Sequence, residues 1–265
     1  MIAKAAKQDR GEWLYGRHAA LAALGNPNRR VLRTLATAEL AAEIAAVAGS
    51  RPLPEVEIAE RPAIARLLPD GAVHQGIAVR VEPLPLVALE DLLTTAGDDA
   101  VYVVLDQAQD PRNVGAVLRA AAAFAAVAVV VQDRHAPAAT GALAKAASGA
   151  LERVPLITVV NIARSLRAMA AAGVRIVGFD ARAERNLADA DLSGRIALVL
   201  GAEDHGLRRL VREGCDELTR IPIVAAVDSL NLGTAAAIAL YEAARRRHPA
   251  SPGWGPAVPP TAPLS

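Results

Sequence analysis

The chain has few of the residues that most often announce a function. Its 265 residues include one cysteine, Cys215, which excludes a disulfide framework and a multi-thiolate zinc site. Aromatic side chains make up 3 %, too few for a surface that stacks many bases on rings. An excess of one charge is missing too. The 29 Lys and Arg stand against 28 Asp and Glu, so bulk charge does not draw this chain to polyanions. The longest unbroken apolar run, Ala120 to Val131, is too short to span a bilayer as a helix. Met1 to Arg10 is polar and basic, without the apolar core of a secretory signal. The expectation is a soluble, cytoplasmic protein with no membrane partner. His18, His74, His135, His205 and His248 are scattered without metal-ligand spacing, so no metal is expected. There is no Gly-x-Gly-x-x-Gly after the first strand, no Walker A loop and no Gly-x-Ser-x-Gly elbow.

What is present is apolar bulk and an uneven charge. Hydrophobic residues reach 53 %, enough for a sizeable core, and the length suits one large or two modest domains. Met1 to Arg33 carries seven basic residues (Lys4, Lys7, Arg10, Arg17, Arg29, Arg30, Arg33) against two acidic ones. Residues 34–100 reverse this with four basic and eleven acidic. A basic start of this kind is expected to meet phosphates.

Periodicity divides the chain. Residues 1–84 read as a small α/β unit, with helices over Gly16–Gly25 and Ala38–Ala48 and a strand over Ile77–Glu82 that alternates cleanly. Pro83-Leu84-Pro85 and the acidic stretch after it predict a linker over 85–99. In residues 100–248, buried strands alternate with helices: Val101–Leu105, Val127–Gln132, Val154–Val159, Arg175–Phe179 and Ile196–Leu200 among the strands, Arg112–Ala126 and Leu232–Arg247 among the helices. That pattern predicts an α/β fold whose parallel sheet is covered on both faces. The Pro/Gly/Ala-rich stretch 249–265 predicts a disordered tail.

Ligands of open α/β sheets bind at the carboxyl ends of strands, so loops directly after strands are the candidates. The first runs from Leu105 to Gly115, with Asn113 near a helix start and Arg119 farther along. Six residues apart on a helix, these two project about 120° apart. Asp110-Pro111 also reads as a plain cap and first helical residue. The second runs Leu200-Gly201-Ala202-Glu203-Asp204-His205-Gly206, where two glycines let the main chain turn sharply and approach a ligand. A tight turn with a solvated acidic tip is the plainer alternative. The third is Ile221-Pro222-Ile223, followed by Ser229-Leu230-Asn231-Leu232-Gly233 and an alanine-rich helix. Ser229 or Asn231 can cap that helix. Leu230 between two polar residues fits a main-chain contact to a flat ligand better than capping.

Taken in order, Asn113 with Arg119, Gly201-Ala202-Glu203 with Gly206, and Ile221-Pro222 with Ser229-Leu230-Asn231 resemble motifs 1, 2 and 3 of the SpoU/TrmH family. These are RNA ribose 2′-O-methyltransferases of the SPOUT class, and the likeness covers about residues 98–247. Gly16-Arg17-His18-Ala19 and His74-Gln75-Gly76-Ile77 resemble the substrate-binding domain of that family, of the ribosomal-protein L30e-like type. The resemblance implies a trefoil-knotted parallel-sheet domain and S-adenosylmethionine as cofactor. It implies a homodimer joined through the knot domain and RNA, not DNA, as partner. Length and the N-terminal unit look most like the subfamily that methylates a guanosine in the peptidyl-transferase loop of 23S rRNA, acting on ribosome precursors. The same chemistry on tRNA, and a non-catalytic RNA-binding relative, are the alternatives. Carried over by motif, Leu200, Gly201, Gly206, Ile221 and Leu230 would contact the cofactor. Arg119 would sit at the ribose, with Asn113, Glu203, Ser229 and Asn231 holding it, the ribose or the adjacent phosphate. A guanidinium keeps its protons, so positioning and charge stabilisation suit Arg119 better than a base role. One departure stands out: the family often has a serine where this chain has Gly233, and a glycine in the first helical turn costs up to about 1 kcal/mol relative to alanine.

Overall fold

Short strands with one apolar face need a second layer to hide it. The computed structural model describes residues 11–135, 141–202, 205–224 and 229–247, and it meets this need twice. In the N-terminal unit, β1 (Glu12–Tyr15), β2 (Val31–Ala36), β3 (Val56–Ile58) and β4 (Ile77–Val81) form a sheet in the order β1-β4-β2-β3. Only β2 and β3 run parallel. Helices α1 (Arg17–Gly25) and α2 (Ala41–Ala48) cover one face with Leu24 and Ile44 packed near Ile77 and Val79. On the other face, Ile64 of α3 (Arg61–Ala65) meets Tyr15, Leu35 and Ala78.

The expected linker 85–99 contains a helix, α4 (Leu89–Thr95). Its Leu89 and Leu93 are buried in the core of the second unit, and the Tyr102 hydroxyl donates to the Leu92 carbonyl at 3.1 Å. The acidic residues Glu90 and Asp91 occupy its first turn, where the helix dipole favours them. Only the residues around Pro83–Ala88 run without helix or strand between the two units.

The second unit follows from its apolar runs. Five consecutive buried residues in β5 (Val101–Leu105) demand cover on both faces, because successive side chains point opposite ways. Val101, Val103 and Leu105 face a core shared with α5 (Pro111–Ala123), α6 (Gly141–Ala147) and α9 (Leu232–Arg247). Tyr102 and Val104 face the opposite core, with Leu166 and Met169 of α7 (Ile162–Ala171) and Val211 of α8 (Arg209–Glu213). The remaining strands are β6 (Ala128–Gln132), β7 (Leu156–Val159), β8 (Arg175–Phe179), β9 (Arg185–Asn186), β10 (Ile196–Leu200) and β11 (Glu217–Arg220). The sheet order is β7-β6-β5-β10-β8-β11-β9, with every pairing parallel. The chain steps outward from β5 to β7 and then returns to the other side. That reversal, beside β5 and β10, is where an open sheet leaves a crevice.

The two units are closely fitted. A Cβ on Gly141 would fall 2.4 Å from the Trp13 carbonyl oxygen, and one on Gly149 would fall 2.7 Å from the Ala22 Cβ. Arg29 reaches across to Glu152 at 2.6 Å, with side-chain exposures of only 5 % and 4 %. Asn26 donates to the same carboxylate at 2.7 Å. Four of the seven basic residues of the N-terminal start are paired with glutamates. Arg29 is spent inside the molecule, and Arg17, Arg30 and Arg33 are each shared with a glutamate (Glu43, Glu82 and Glu57). Lys4, Lys7 and Arg10 lie outside the described residues, as does the stretch 249–265.

Candidate active site

The carboxyl ends of β8, β10 and β11 open into a cavity of about 510 Å³. Leu200-Gly201-Ala202 leaves β10 along its wall, and Gly206-Leu207 closes the same loop. Phe179-Asp180-Ala181-Arg182 enters from β8, Ile221 from β11, and Ser229, Leu230 and Leu232 from the start of α9. Leu200, Gly201, Gly206, Ile221 and Leu230, the five residues expected at a cofactor, therefore line one cavity, and Ser229 lines it with them.

Glycine is required in this loop for a steric reason. A Cβ on Gly201 would lie 2.1 Å from the Gly206 carbonyl carbon. Gly206 itself sits at φ +63°, and Ala202 and Gly206 pair across the turn. Gly201 is thus pressed against Gly206 with no room for a side chain of its own, which brings main-chain groups to the cavity there.

Asn113 and Asn231 meet beside this cavity. Asn231 Oδ1 accepts from the Gly233 and Thr234 main-chain N–H groups at 2.9 and 3.3 Å, capping α9. Its Nδ2 donates to Asn113 Oδ1 at 2.9 Å, which ties the start of α9 to the start of α5. Asp110 caps α5 by accepting from the Arg112 N–H at 2.8 Å, and Pro111 follows as the first helical residue. Gly233 also finds its reason here. A Cβ there would fall 2.6 Å from the Ala116 Cβ, so the close approach of α9 to α5 depends on its absence.

Arg119 lies elsewhere. It is exposed on α5 and lines a second cleft, of about 710 Å³, between the two units. His18 and Asn26 of α1 and its turn border that cleft, as do Ser148 and Arg153. Among the described residues, Arg119 has no ion-pair partner, and it does not line the cavity at the strand ends. Glu203 lies outside the described residues.

His205 of the second candidate loop also lines the cavity. Several neighbours were not foreseen. Arg212 pairs with Asp180 at the cavity wall, and Arg182 and Arg220 add polar groups to it. Asp106 and Arg208 pair just behind the loop. The one available signal was position: Asp106 directly follows an apolar strand, and Arg208 follows the glycine loop. Cys215 is no nucleophile, since burial, aided by Asp216, pushes its thiol up to about 12. Among the described residues, no group of three or more His, Cys, Asp or Glu is placed to hold a metal.

Comparison with known proteins agrees with this geometry. A profile of the SpoU rRNA Methylase family matches residues 100–241. The chain is 46 % identical over 180 residues to the 23S rRNA (guanosine-2′-O-)-methyltransferase RlmB of Xylella fastidiosa, covering 67 % of this chain and 72 % of that one. It is 44 % identical over 180 residues to the Escherichia coli K12 protein of the same name, covering 67 % and 74 %. Among solved structures, the SpoU methyltransferase AviRb of Streptomyces viridochromogenes with AdoMet superposes with a TM-score of 0.74 at 25 % identity, covering 90 % and 91 %. An AdoMet-bound rRNA methyltransferase of Sinorhizobium meliloti gives 0.76 at 25 % identity, covering 91 % and 89 %. The chain belongs to the SpoU rRNA methylase family.

Proposed function

We propose that this chain is an S-adenosylmethionine-dependent RNA methyltransferase that modifies the 2′-hydroxyl of a guanosine in 23S rRNA. One observation carries the reading: the five residues that the resemblance assigns to the cofactor, from the second and third of the candidate loops, converge on a single cavity. The cavity suits the cofactor in size and in material. Its volume falls in the range that encloses a small molecule. Leu200, Leu207, Ile221 and Leu230 offer aliphatic walls to a flat base, while the turn at Gly201 and Gly206 presents main-chain donors and acceptors. Asp180 and Arg182 supply charges for a zwitterionic end. When bound, the cofactor supplies an electrophilic methyl on a sulfonium. The chain then has to align a ribose hydroxyl with it, and alignment of this kind is worth about 7–11 kcal/mol.

Arg119 is the residue we assign to the ribose, where its guanidinium orients the hydroxyl and offsets charge that develops on the oxygen. Asn113, Glu203, Ser229 and Asn231 are assigned to hold Arg119, the ribose or its phosphate. Within one chain Arg119 opens into a different cleft from the cofactor residues. A homodimer through the methyltransferase unit, in which a second copy completes the site, accounts for that separation. The exposed Tyr241, packed edge-on against Phe124 beside α5 and α9, supports such a contact. We further read residues 1–84 as an L30e-like RNA-recognition domain and the loops around 201–207 and 221–231 as the strands of a trefoil knot. Their shared lining of one cavity and the position of α9 against α5 and β10 support the knot. We read the enzyme as acting in the cytoplasm on ribosome precursors. No helix among the described residues is long and apolar enough to cross a membrane.

The test is transfer of tritium from labelled S-adenosylmethionine to 23S rRNA, with the modified ribose mapped by mass spectrometry. Label on one guanosine of 23S rRNA is the expected result. Label on tRNA alone would favour the tRNA reading, and transfer to no RNA would overturn the proposal.

A further inference from the structure

Asp106, at the end of β5, is fully buried. A buried carboxylate is tolerated only with charged or hydrogen-bonding partners, and the partners of Asp106 bracket the cofactor loop. Its main-chain N–H donates to the Leu200 carbonyl at 2.8 Å, where the loop leaves β10. Its carboxylate accepts from the Arg208 main-chain N–H at 2.9 Å and from Arg208 Nε at 2.8 Å, where the loop ends. One residue therefore holds both ends of the segment Gly201–Leu207. The Arg208 guanidinium continues outward, donating through Nη2 to Gln132 Oε1 at 2.6 Å at the end of β6. Gln132 Nε2 in turn donates to the Val160 carbonyl at 3.2 Å, just past β7. Side chains thus join the ends of β5 and β6 and the turn after β7, and the main chain of Asp106 adds the end of β10.

Resting on the reading of the strand-end cavity as the methyl-donor site, we infer that Asp106 and Arg208 are positioning residues that hold the cavity-lining main chain at Gly201–Ala202 and Gly206–Leu207 in place for the cofactor. Neither lines the cavity, so they act through the loop. A loop whose two ends are fixed has fewer conformations to lose on binding. When it is released, the binding-competent fraction falls and apparent affinity falls with it. The loss belongs to the donor. Affinity for RNA, which meets the cleft at Arg119, stays as it was.

The test is titration of the full chain with S-adenosylhomocysteine, together with separate KM values for S-adenosylmethionine and RNA. Arg208→Ala should weaken S-adenosylhomocysteine by about tenfold or more, the weight of one charge-assisted hydrogen bond. The KM for S-adenosylmethionine should rise in parallel, with kcat at saturation and the KM for RNA little changed. Arg208→Lys keeps the charge beside Asp106 and should recover part of the affinity. Gln132→Ala removes only the outer link and should show the smallest loss. If Arg208→Ala does not fold, the Lys and Gln132 variants decide alone. Unchanged donor affinity in folded variants, with wild type binding normally, would overturn the inference and leave the proposed function standing. Wild type that binds no S-adenosylhomocysteine would overturn the donor-site reading itself.

Discussion

In the cavity at the strand ends, glycine turns and aliphatic carbon meet the charged side chains of Asp180, Arg182, Arg212 and Arg220, whereas the cleft between the two units presents the side chains of His18, Arg119 and Arg153. The first shape is fixed by strand ends and the turn between Gly201 and Gly206, and it fails if a Cβ is added at Gly201. The second also depends on a glycine, since a Cβ on Gly149 would fall 2.7 Å from the Ala22 Cβ, but its His18 and Arg119 stand on helices packed by other residues. The contrast suits the two ligands assigned to them. A small zwitterionic cofactor is held by shape, main-chain groups and charges of both signs, and an anionic polymer is met by a few well-placed cations.

The sharpest break of that contrast is Gly201→Val. Its new side chain would start 2.1 Å from the Gly206 carbonyl carbon, so saturable heat of S-adenosylhomocysteine binding should vanish in calorimetry. The next effect is on stability. Glu152→Ala leaves Arg29 buried and unpaired between the units, which should cost about 3–5 kcal/mol in urea unfolding. That loss should leave cofactor affinity intact if the two clefts are independent. Asn231→Ala removes the cap of α9 and its bond to Asn113, with an expected loss of about 1 kcal/mol in the same measurement. The smallest effect is a pH dependence far from both clefts. Hydrogen bonds from Arg245, and then from Arg246, hold the Glu242 carboxyl down at about 2, against an ordinary 4.5. A carboxyl held low adds stability above pH 4.5 that is lost as pH falls toward 2. Glu242→Gln should flatten that limb of the unfolding curve, modestly, because Arg245 is half exposed.

Much of the second unit could be read from its apolar runs. Val101–Leu105, Arg175–Phe179, Ile196–Leu200 and Leu232–Arg247 have the same limits in the sequence reading and in the structure. Continuous burial writes such strands plainly. Short elements escaped: β1 is four residues long, β9 two and α8 five, all below the length at which a period can be counted. Helix α4 was mistaken for linker because acidic residues and a nearby proline cluster outweighed two leucines four apart. At the site, Gly201 and Gly206 stood out because they frame the turn that directly follows a buried strand, a pattern that a plain tight turn explains equally well. The separation of Arg119 from them was foreshadowed only by the helix angle between Asn113 and Arg119. The pairing of Arg29 with Glu152 joins residues 123 apart in sequence, which no local pattern reports.

The central claim is that one cleft binds the donor and the other brings the cation that acts on the ribose. Arg119→Ala tests it directly, with S-adenosylhomocysteine titration and methyl transfer measured on one preparation. Donor affinity equal to wild type with turnover reduced about 10²–10³-fold is the predicted result, the usual weight of one transition-state contact. Donor affinity and turnover falling together, or turnover unchanged, would contradict it.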